Sequence, residues 1–414
     1  MTVSENTRFL LDHARKLHQQ TPLIDGHNDL PWRLRQEVQR ALSKMDISAH
    51  QKTLHTDIPR LLEGGVGGQF WSVFVPALLD DADYVRATME QIDVVHNMVD
   101  RYSNVFQLTV NSGEIENAFE SGKIAALIGM EGGHSIGNSI AALRMFHKLG
   151  ARYMTLTHDK SISWADSCTD APRAHGLTVF GKEVVHEMNR LGMLVDLSHV
   201  SKQTMNAALD VANAPVIFSH SSARGLTSHP RNVPDDVLKR LPQNGGVVMV
   251  TFVPGFVSKS LYEWGLNRTG YKSLTNSPDY VHHWDYRSED PVTDSVADDS
   301  DPVMKEWDER NPAPQATLKD VADHIDHIRA LAGIDHIGIG SDFDGITSVP
   351  DGLEDVAKFH ALTAELIRRE YSDEDIQKIL GRNVLRAMRG AEDVARTMQT
   401  LHSPSEVLHP PSRL

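Results

Sequence analysis

An α/β fold, a closed (β/α)8 barrel of the TIM type, is predicted by two features of the chain. Eight apolar runs of strand length recur along it, and most gaps between them carry the apolar spacing of an amphipathic helix. Histidines and carboxylates also stand just past six of those runs. Buried parallel strands joined by helical crossovers produce this rhythm. An open doubly wound sheet would share it, but gathers ligands only where its strand order reverses. Residues following the first, third, fourth, fifth, sixth and eighth runs are collected more naturally by a ring.

Residues 7–19 place Phe9, Leu10, Ala14 and Leu17 at helical spacing, and Pro22 ends that helix. The first strand begins at Leu23-Ile24, and the others cover residues 70–75, 124–128, 153–156, 193–196, 216–218, 247–250 and 336–339. Gly64-Gly65-Val66-Gly67-Gly68 lacks the pattern of a phosphate-binding loop and reads as a tight approach into the second strand. Helices are predicted over residues 84–102 (Val85, Met89, Ile92, Val95 and Val99 on one face), 139–149 with Gly150 closing it, 178–191 stopping at Gly192, and 318–331. Beyond Gly345 a further helical pattern spans residues 353–369. Ser372 and Asp375 then resemble an N-terminal capping pair opening a helix that contains Ile376, Ile379 and Leu380.

Residues 258–315, between the seventh and eighth strands, break the rhythm. They are rich in Asp, Ser, Asn and Pro, with Tyr262, Trp264, Tyr280, Trp284, Tyr286 and Trp307 interspersed. A disordered segment would be poorer in aromatics. The expectation is a partly ordered, lid-like excursion over the barrel mouth or against a partner subunit. Residues 1–403 are read as one barrel domain, and residues 404–414, with Pro404, Pro410 and Pro411, as a tail. A chain of 414 residues is within the size range of such barrels with insertions.

The 56 acidic against 41 basic residues give a net charge of -15, which argues against nonspecific nucleic-acid binding. Cys168 is the only cysteine, so neither an intramolecular disulfide nor a thiolate-rich zinc site can form. The polar first 20 residues lack a signal-length apolar core, and no run approaches 18 apolar residues. Cytoplasmic residence without membrane contact is the simplest expectation.

The ring would bring His27, Asp29, Glu131, His199, His220 and Asp342 to one mouth. His27 and Asp29 are one residue apart, and on an extended strand they would share a face. Glu131 precedes Gly132-Gly133, and its two oxygens can bridge two cations. His199 and His220 would hold the second cation. Metal charge lowers the pKa of bound water, and Asp342 could take that proton and deliver it to a leaving amine. His158 could donate to a developing oxyanion. Arg224 and Arg231 flank the His220 loop, where a guanidinium fork would suit a substrate carboxylate, unless it pairs with Asp235 or Asp236. Asp344 reads as a loop organiser. Any one of these residues alone could be a cap or turn residue; recurrence at successive strand ends carries the reading. Two divalent ions are implied, and mixed nitrogen and oxygen donors favour zinc, with manganese, cobalt and iron also compatible.

The motifs resemble the membrane, or renal, dipeptidase family of binuclear zinc peptidases within the amidohydrolase superfamily. They are Asp25-Gly26-His27-Asn28-Asp29, Gly129-Met130-Glu131-Gly132-Gly133, Arg152-Tyr153-Met154-Thr155-Leu156-Thr157-His158 and Asp196-Leu197-Ser198-His199. Phe218-Ser219-His220-Ser221, Arg231-Asn232-Val233-Pro234-Asp235 and Gly340-Ser341-Asp342-Phe343-Asp344-Gly345 complete the series in the family's order. The resemblance implies that His27 and Asp29 bind one zinc, Glu131 bridges, and His199 and His220 bind the other. It implies that Asp342 handles the proton, His158 stabilises the tetrahedral intermediate, and Arg231 receives the dipeptide's terminal carboxylate. It further implies cleavage of dipeptides, tolerance of a C-terminal D-residue, carbapenem hydrolysis in some members, and a homodimer. The cysteine framework, secretion signal and anchor tail of the animal branch have no counterpart here, which points to a soluble bacterial-type member. Hydrolysis of N-acyl amino acids or cyclic amides, and metal binding without catalysis, are the alternative functions.

Overall fold

The computed structural model describes residues 3–79, 81–274 and 302–410. Nine strands form one parallel sheet: β1 (Leu23–Asn28), β2 (Val66–Phe74), β3 (Phe106–Leu108), β4 (Ile124–Glu131), β5 (Ala151–Thr155), β6 (Leu194–Asp196), β7 (Ile217–Phe218), β8 (Val247–Val250) and β9 (Ile337–Ile339). Because β9 pairs with both β8 and β1, and β2 with both β1 and β4, eight of them close into a ring. Each of these eight overlaps one of the eight expected runs, with ends that differ by a few residues. β3 is the addition: it pairs with residues 124–126 of β4 while β5 pairs with residues 128–130, so the two share one edge of β4 end to end.

Strand alternation sorts the core. Phe70, Leu127, Tyr153 and Ile217 pack together as one cluster with Ile24 and Met249, and Val384, Leu385 and Met388 of the helix Asn383–Leu401 join it. Their neighbours Trp71, Ile128, Met154 and Phe218 belong to the larger cluster against the surrounding helices. Side chains on a strand point alternately to its two faces, so the first set fills the ring and the second faces outward. Both faces are covered, which is why the strands read as nearly continuous apolar runs.

The helices begin and end where local chemistry dictates. Thr178 caps Val179–Leu191 by accepting from the Gly181 N–H, and Gly192 ends that helix in the left-handed region at φ 77°. Ser372 accepts from the Asp375 N–H, as its sequence pattern predicts. Thr317 and Asp320 form a reciprocal capping box on Leu318–Ala332. Two faces are rotated from expectation. In Val3–Gln20, Ala14 and Leu17 are buried whereas Phe9 is exposed, and in Asp81–Arg101, Met89 is exposed whereas Ile92, Val95, Met98 and Val99 are buried. Tertiary contact on one side of each helix selects which residues of a broad apolar stripe are covered.

The excursion contributes helices Lys259–Leu274 and Pro302–Arg310. Arg268 forks onto Asp308 at 2.7 and 2.8 Å, and the Trp264 indole donates to the Asn311 carbonyl at 2.7 Å. Tyr262, on the first of these helices, meets the ring of His229 beside the barrel mouth at 5.3 Å. Tyr280, Trp284 and Tyr286 lie outside the described residues. Residues 404–410 run along the surface, with Ser405 tied to Arg144 and Glu187 and His409 to Ser163. Among the described residues no helix is long and apolar enough to cross a membrane.

Candidate metal centre

All six residues expected at the mouth are buried there, within reach of one another. Glu131 ends β4 and occupies the middle. Its Oε2 faces His27 Nε2 at 3.4 Å, and its Oε1 faces His199 Nε2 at 3.1 Å and His220 Nε2 at 3.5 Å. Asp29 Oδ2 lies 3.2 Å from His27 Nε2. Ligand atoms of His27, Glu131 and His220, of Glu131, His158 and His199, and of His27, Asp29 and Asp342 fall into three groups, each within 4.8 Å. His158, expected as an oxyanion donor, thus stands within ligand distance of this cluster.

Asp29 arrives differently from the expectation. It does not continue the strand: β1 ends at Asn28, and Asp29 is the N-terminal boundary of the helix Leu30–Val38, with φ -97° and ψ 20°. The Asn28 side chain accepts from the Leu30 N–H, and the Asp29 N–H bonds to the Phe343 carbonyl. The chain therefore bends before Asp29, and convergence with His27 comes from that bend.

Three non-glycine residues at the rim hold left-handed backbones: His199 at φ 65°, Asp342 at 70° and Asp344 at 65°. Such conformations are disfavoured for side chains with a Cβ and concentrate at functional sites. Asp344 organises its loop, accepting from the His55 N–H at 2.8 Å while its own N–H donates to His55 Nδ1 at 3.1 Å. Gly345 is required by crowding, since a Cβ there would lie 2.3 Å from Asp29 Oδ2 and 2.6 Å from Asp342 Oδ1.

The electrostatics call for positive charge. Burial disfavours ionisation of Glu131, yet the charge of His27 and hydrogen bonds from His199 and His27 hold its carboxyl well below the usual range. Burial, then Arg231 and His158, hold His199 well below an ordinary imidazole; burial, then His27, do the same for His220. Two imidazoles thus held neutral place Nε2 atoms 2.8 Å apart beside a carboxylate. His27 Nε2 is buried and faces two carboxylates, those of Asp29 and Glu131. This donor set fits divalent cations, with His27 and Asp29 on one side of Glu131 and His199 and His220 on the other.

Arg231 is buried beside this cluster, donating to Ser221 Oγ at 3.3 Å and to the His220 carbonyl at 3.2 Å, with its guanidinium over the Phe256 ring. Asp235 and Asp236, the alternative partners considered for the arginines, pair instead with His327 and Lys202. Arg224 donates to the Asn232 and Pro230 carbonyls and so braces the loop that carries Arg231. A cleft opens beside the cluster, lined by Asp29, Trp32, Phe74, Glu131, Asp342 and Ile346.

Sequence reasoning passed over the residues beneath the ligands. Asp25 accepts from the Ser341 N–H and Oγ and from Gln69, although burial pushes its carboxyl up to about 6. Ser72 Oγ lies 3.0 Å from Glu131 Oε2. Tyr153 reaches His27, and Ser219, which donates to Asp196, reaches His220. The available signal was alternation on β5, since Tyr153 and Thr155 share a face and both make polar contacts inside the ring.

A closed parallel barrel with histidines and carboxylates converging at the carboxyl ends of its strands defines a metal-dependent hydrolase. The chain belongs to the membrane dipeptidase family, peptidase family M19, whose model matches residues 11–402. It is 40% identical to dipeptidase VerJ of Clonostachys rogersoniana over 410 residues, covering 96% of this chain and 91% of that protein. The fold is shared with the probable dipeptidase PvdM from Pseudomonas aeruginosa, at TM-score 0.79 and 24% identity, covering 94% of this chain and 100% of that one. It is also shared with a metallo peptidase from Rhodobacter sphaeroides bound to a phosphinate mimic of L-Ala-D-Ala, at TM-score 0.71 and 22% identity, covering 90% of this chain and 99% of that one. The chain is accordingly a metal-dependent hydrolase of the dipeptidase type.

Proposed function

We propose that this chain uses two zinc ions to cleave dipeptides, including those with a C-terminal D-residue. The observation that carries the reading is the division of Glu131, with one oxygen toward His27 and the other toward His199 and His220. In this reading His27 and Asp29 hold one ion, His199 and His220 hold the other, and Glu131 serves both. Bound there, the ions would supply a water nucleophile near neutral pH and polarise the scissile carbonyl.

The remaining work falls to the protein's own groups. Arg231, buried and pre-oriented by Ser221 and the His220 carbonyl, offers its fork to the terminal carboxylate of the substrate. His158 donates toward the oxyanion that develops on the carbonyl. Asp342 takes a proton onto its carboxylate from the attacking water and returns it to the departing nitrogen. Trp32 and Phe74, packed edge to face at 4.9 Å, wall the cleft and limit the access of water. VerJ supports the substrate class, and the mimic bound by the Rhodobacter sphaeroides enzyme supports D-residue tolerance.

The test is a panel of L-L and L-D dipeptides, N-acyl amino acids and cyclic amides, run on zinc-loaded and metal-stripped protein. Hydrolysis of both dipeptide types, lost on stripping and restored by zinc, is expected. Turnover of cyclic amides alone, or undiminished activity without metal, would overturn the proposal.

A further inference from the structure

His27 Nδ1 lies 2.9 Å from the Tyr153 hydroxyl, which lies 3.2 Å from the Gly26 carbonyl. A carbonyl can only accept, so the phenol proton goes to Gly26 and the phenol oxygen accepts from His27 Nδ1–H. Tyr153 can make this reach because a Cβ at Gly129 would lie 2.0 Å from its ring. On the other side of the cluster, His220 Nδ1 lies 2.8 Å from Ser219 Oγ, which donates to Asp196 Oδ2 at 2.7 Å. The serine has one proton, and the carboxylate claims it. His220 Nδ1 must therefore carry a hydrogen, leaving its Nε2 as a lone pair. Asp196 is itself fixed, because its Oδ1 accepts from the Ser198 and Ser219 N–H groups and its Oδ2 also accepts from Thr155 Oγ1.

We infer that Tyr153 and the Asp196–Ser219 pair are positioning residues that lock His27 and His220 in the Nδ1–H tautomer, each serving a different one of the two ions. The inference rests on the binuclear reading above. It predicts that the two ions are separable by substitution at residues that touch neither. Asp196→Asn is the sharpest variant. Its carboxamide oxygen keeps the two backbone bonds, but its NH₂ now donates to Ser219 Oγ. The serine proton then turns to His220 Nδ1, and Nε2 is left bearing a hydrogen instead of a lone pair. Tyr153→Phe removes the acceptor for His27 Nδ1–H, and Ser219→Ala removes the acceptor for His220 without altering Asp196.

The experiment titrates zinc against a competing chelator for the wild-type chain, each single variant, and the double variant Tyr153→Phe/Asp196→Asn, and records the melting temperature of each stripped protein. Loss of such an outer hydrogen bond weakens a metal site roughly 10- to 100-fold. Each single variant should weaken one of the two ions by that factor, with the stripped protein melting like wild type. The double variant should weaken both. Unchanged zinc affinities in folded Tyr153→Phe and Ser219→Ala proteins would overturn the inference, as would a double variant that still weakens only one ion. A wild-type chain that binds fewer than two ions would instead overturn the binuclear reading itself.

Discussion

His199 and His220 meet ring nitrogen to ring nitrogen at 2.8 Å, with Glu131 Oε1 beside both. Two imidazole nitrogens and a carboxylate oxygen this close together form one compact donor set of the kind that suits a divalent cation. The two rings can meet there because each stands just past a different strand of the ring, β6 and β7.

Asp342 belongs to the group formed with His27 and Asp29, at the acidic wall of the cleft. Replacing it with Asn removes the proton acceptor while keeping its shape. Asp342→Asn should retain zinc and lower kcat on the order of 10²- to 10⁴-fold. Metal content measured alongside steady-state kinetics checks this; near-normal turnover in the zinc-loaded variant would remove Asp342 from proton transfer.

Arg231 presents a planar fork that lysine cannot reproduce. Arg231→Lys should raise KM for free dipeptides by roughly tenfold or more, since a charge-assisted hydrogen bond contributes about 1.5–3 kcal/mol. C-terminally amidated dipeptides should be hydrolysed poorly by wild type and little affected by the change. Equal losses on both substrates would argue against carboxylate anchoring.

Gly345 faces two carboxylates that a methyl group would displace. Gly345→Ala should weaken zinc binding and catalysis together. Gly113, in the helix Ser112–Glu120, would bring an added Cβ only to ordinary contact with Asn111 Oδ1 at 3.5 Å among the described residues, so Gly113→Ala is the matched control and should change neither. Zinc titration of the two variants discriminates.

Stability should fall in mild acid for reasons remote from the metal cluster. His18 and His360 lie with ring centroids 4.3 Å apart, and His18 Nε2 is 2.8 Å from Thr363 Oγ1. Burial, then His360, hold His18 down to about 3, and burial, then Arg15, hold His360 down to about 4. Both folded values are below the unfolded value of 6.5, so the unfolded chain binds the extra protons. The contribution is intact above pH 6.5 and is lost as pH falls from there toward 4 and 3. His18 alone should cost about 2 kcal/mol at about pH 5. Thermal melts of the stripped protein from about pH 7.5 to about pH 5 should show a smaller decline in His18→Gln than in wild type. Parallel declines would reject the assignment.

The ring was legible because its strands are covered on both faces and separated by helices with clear caps. β3 was not, since three residues are too few to show a period, and only the free lower edge of β4 gives them a partner. The candidate ligands were legible because each stands at or just past the carboxyl end of a strand, although Asp29 gets there through a bend at Asn28 that alternation does not encode. Tyr153, Asp196 and Ser219 were hidden for a different reason. A tyrosine in a strand reads as core, and an Asp or Ser at a strand end reads as a turn; only the closed ring brings them under the imidazoles.

His199, Asp342 and Asp344 keep the backbone twist that glycine adopts most readily. Each such residue works against the fold by roughly 1 kcal/mol or more. A version of this protein selected for endurance alone would drift toward glycine at those positions and become sturdier as it lost its chemistry. The barrel beneath must therefore hold a surplus large enough to keep its own rim under tension.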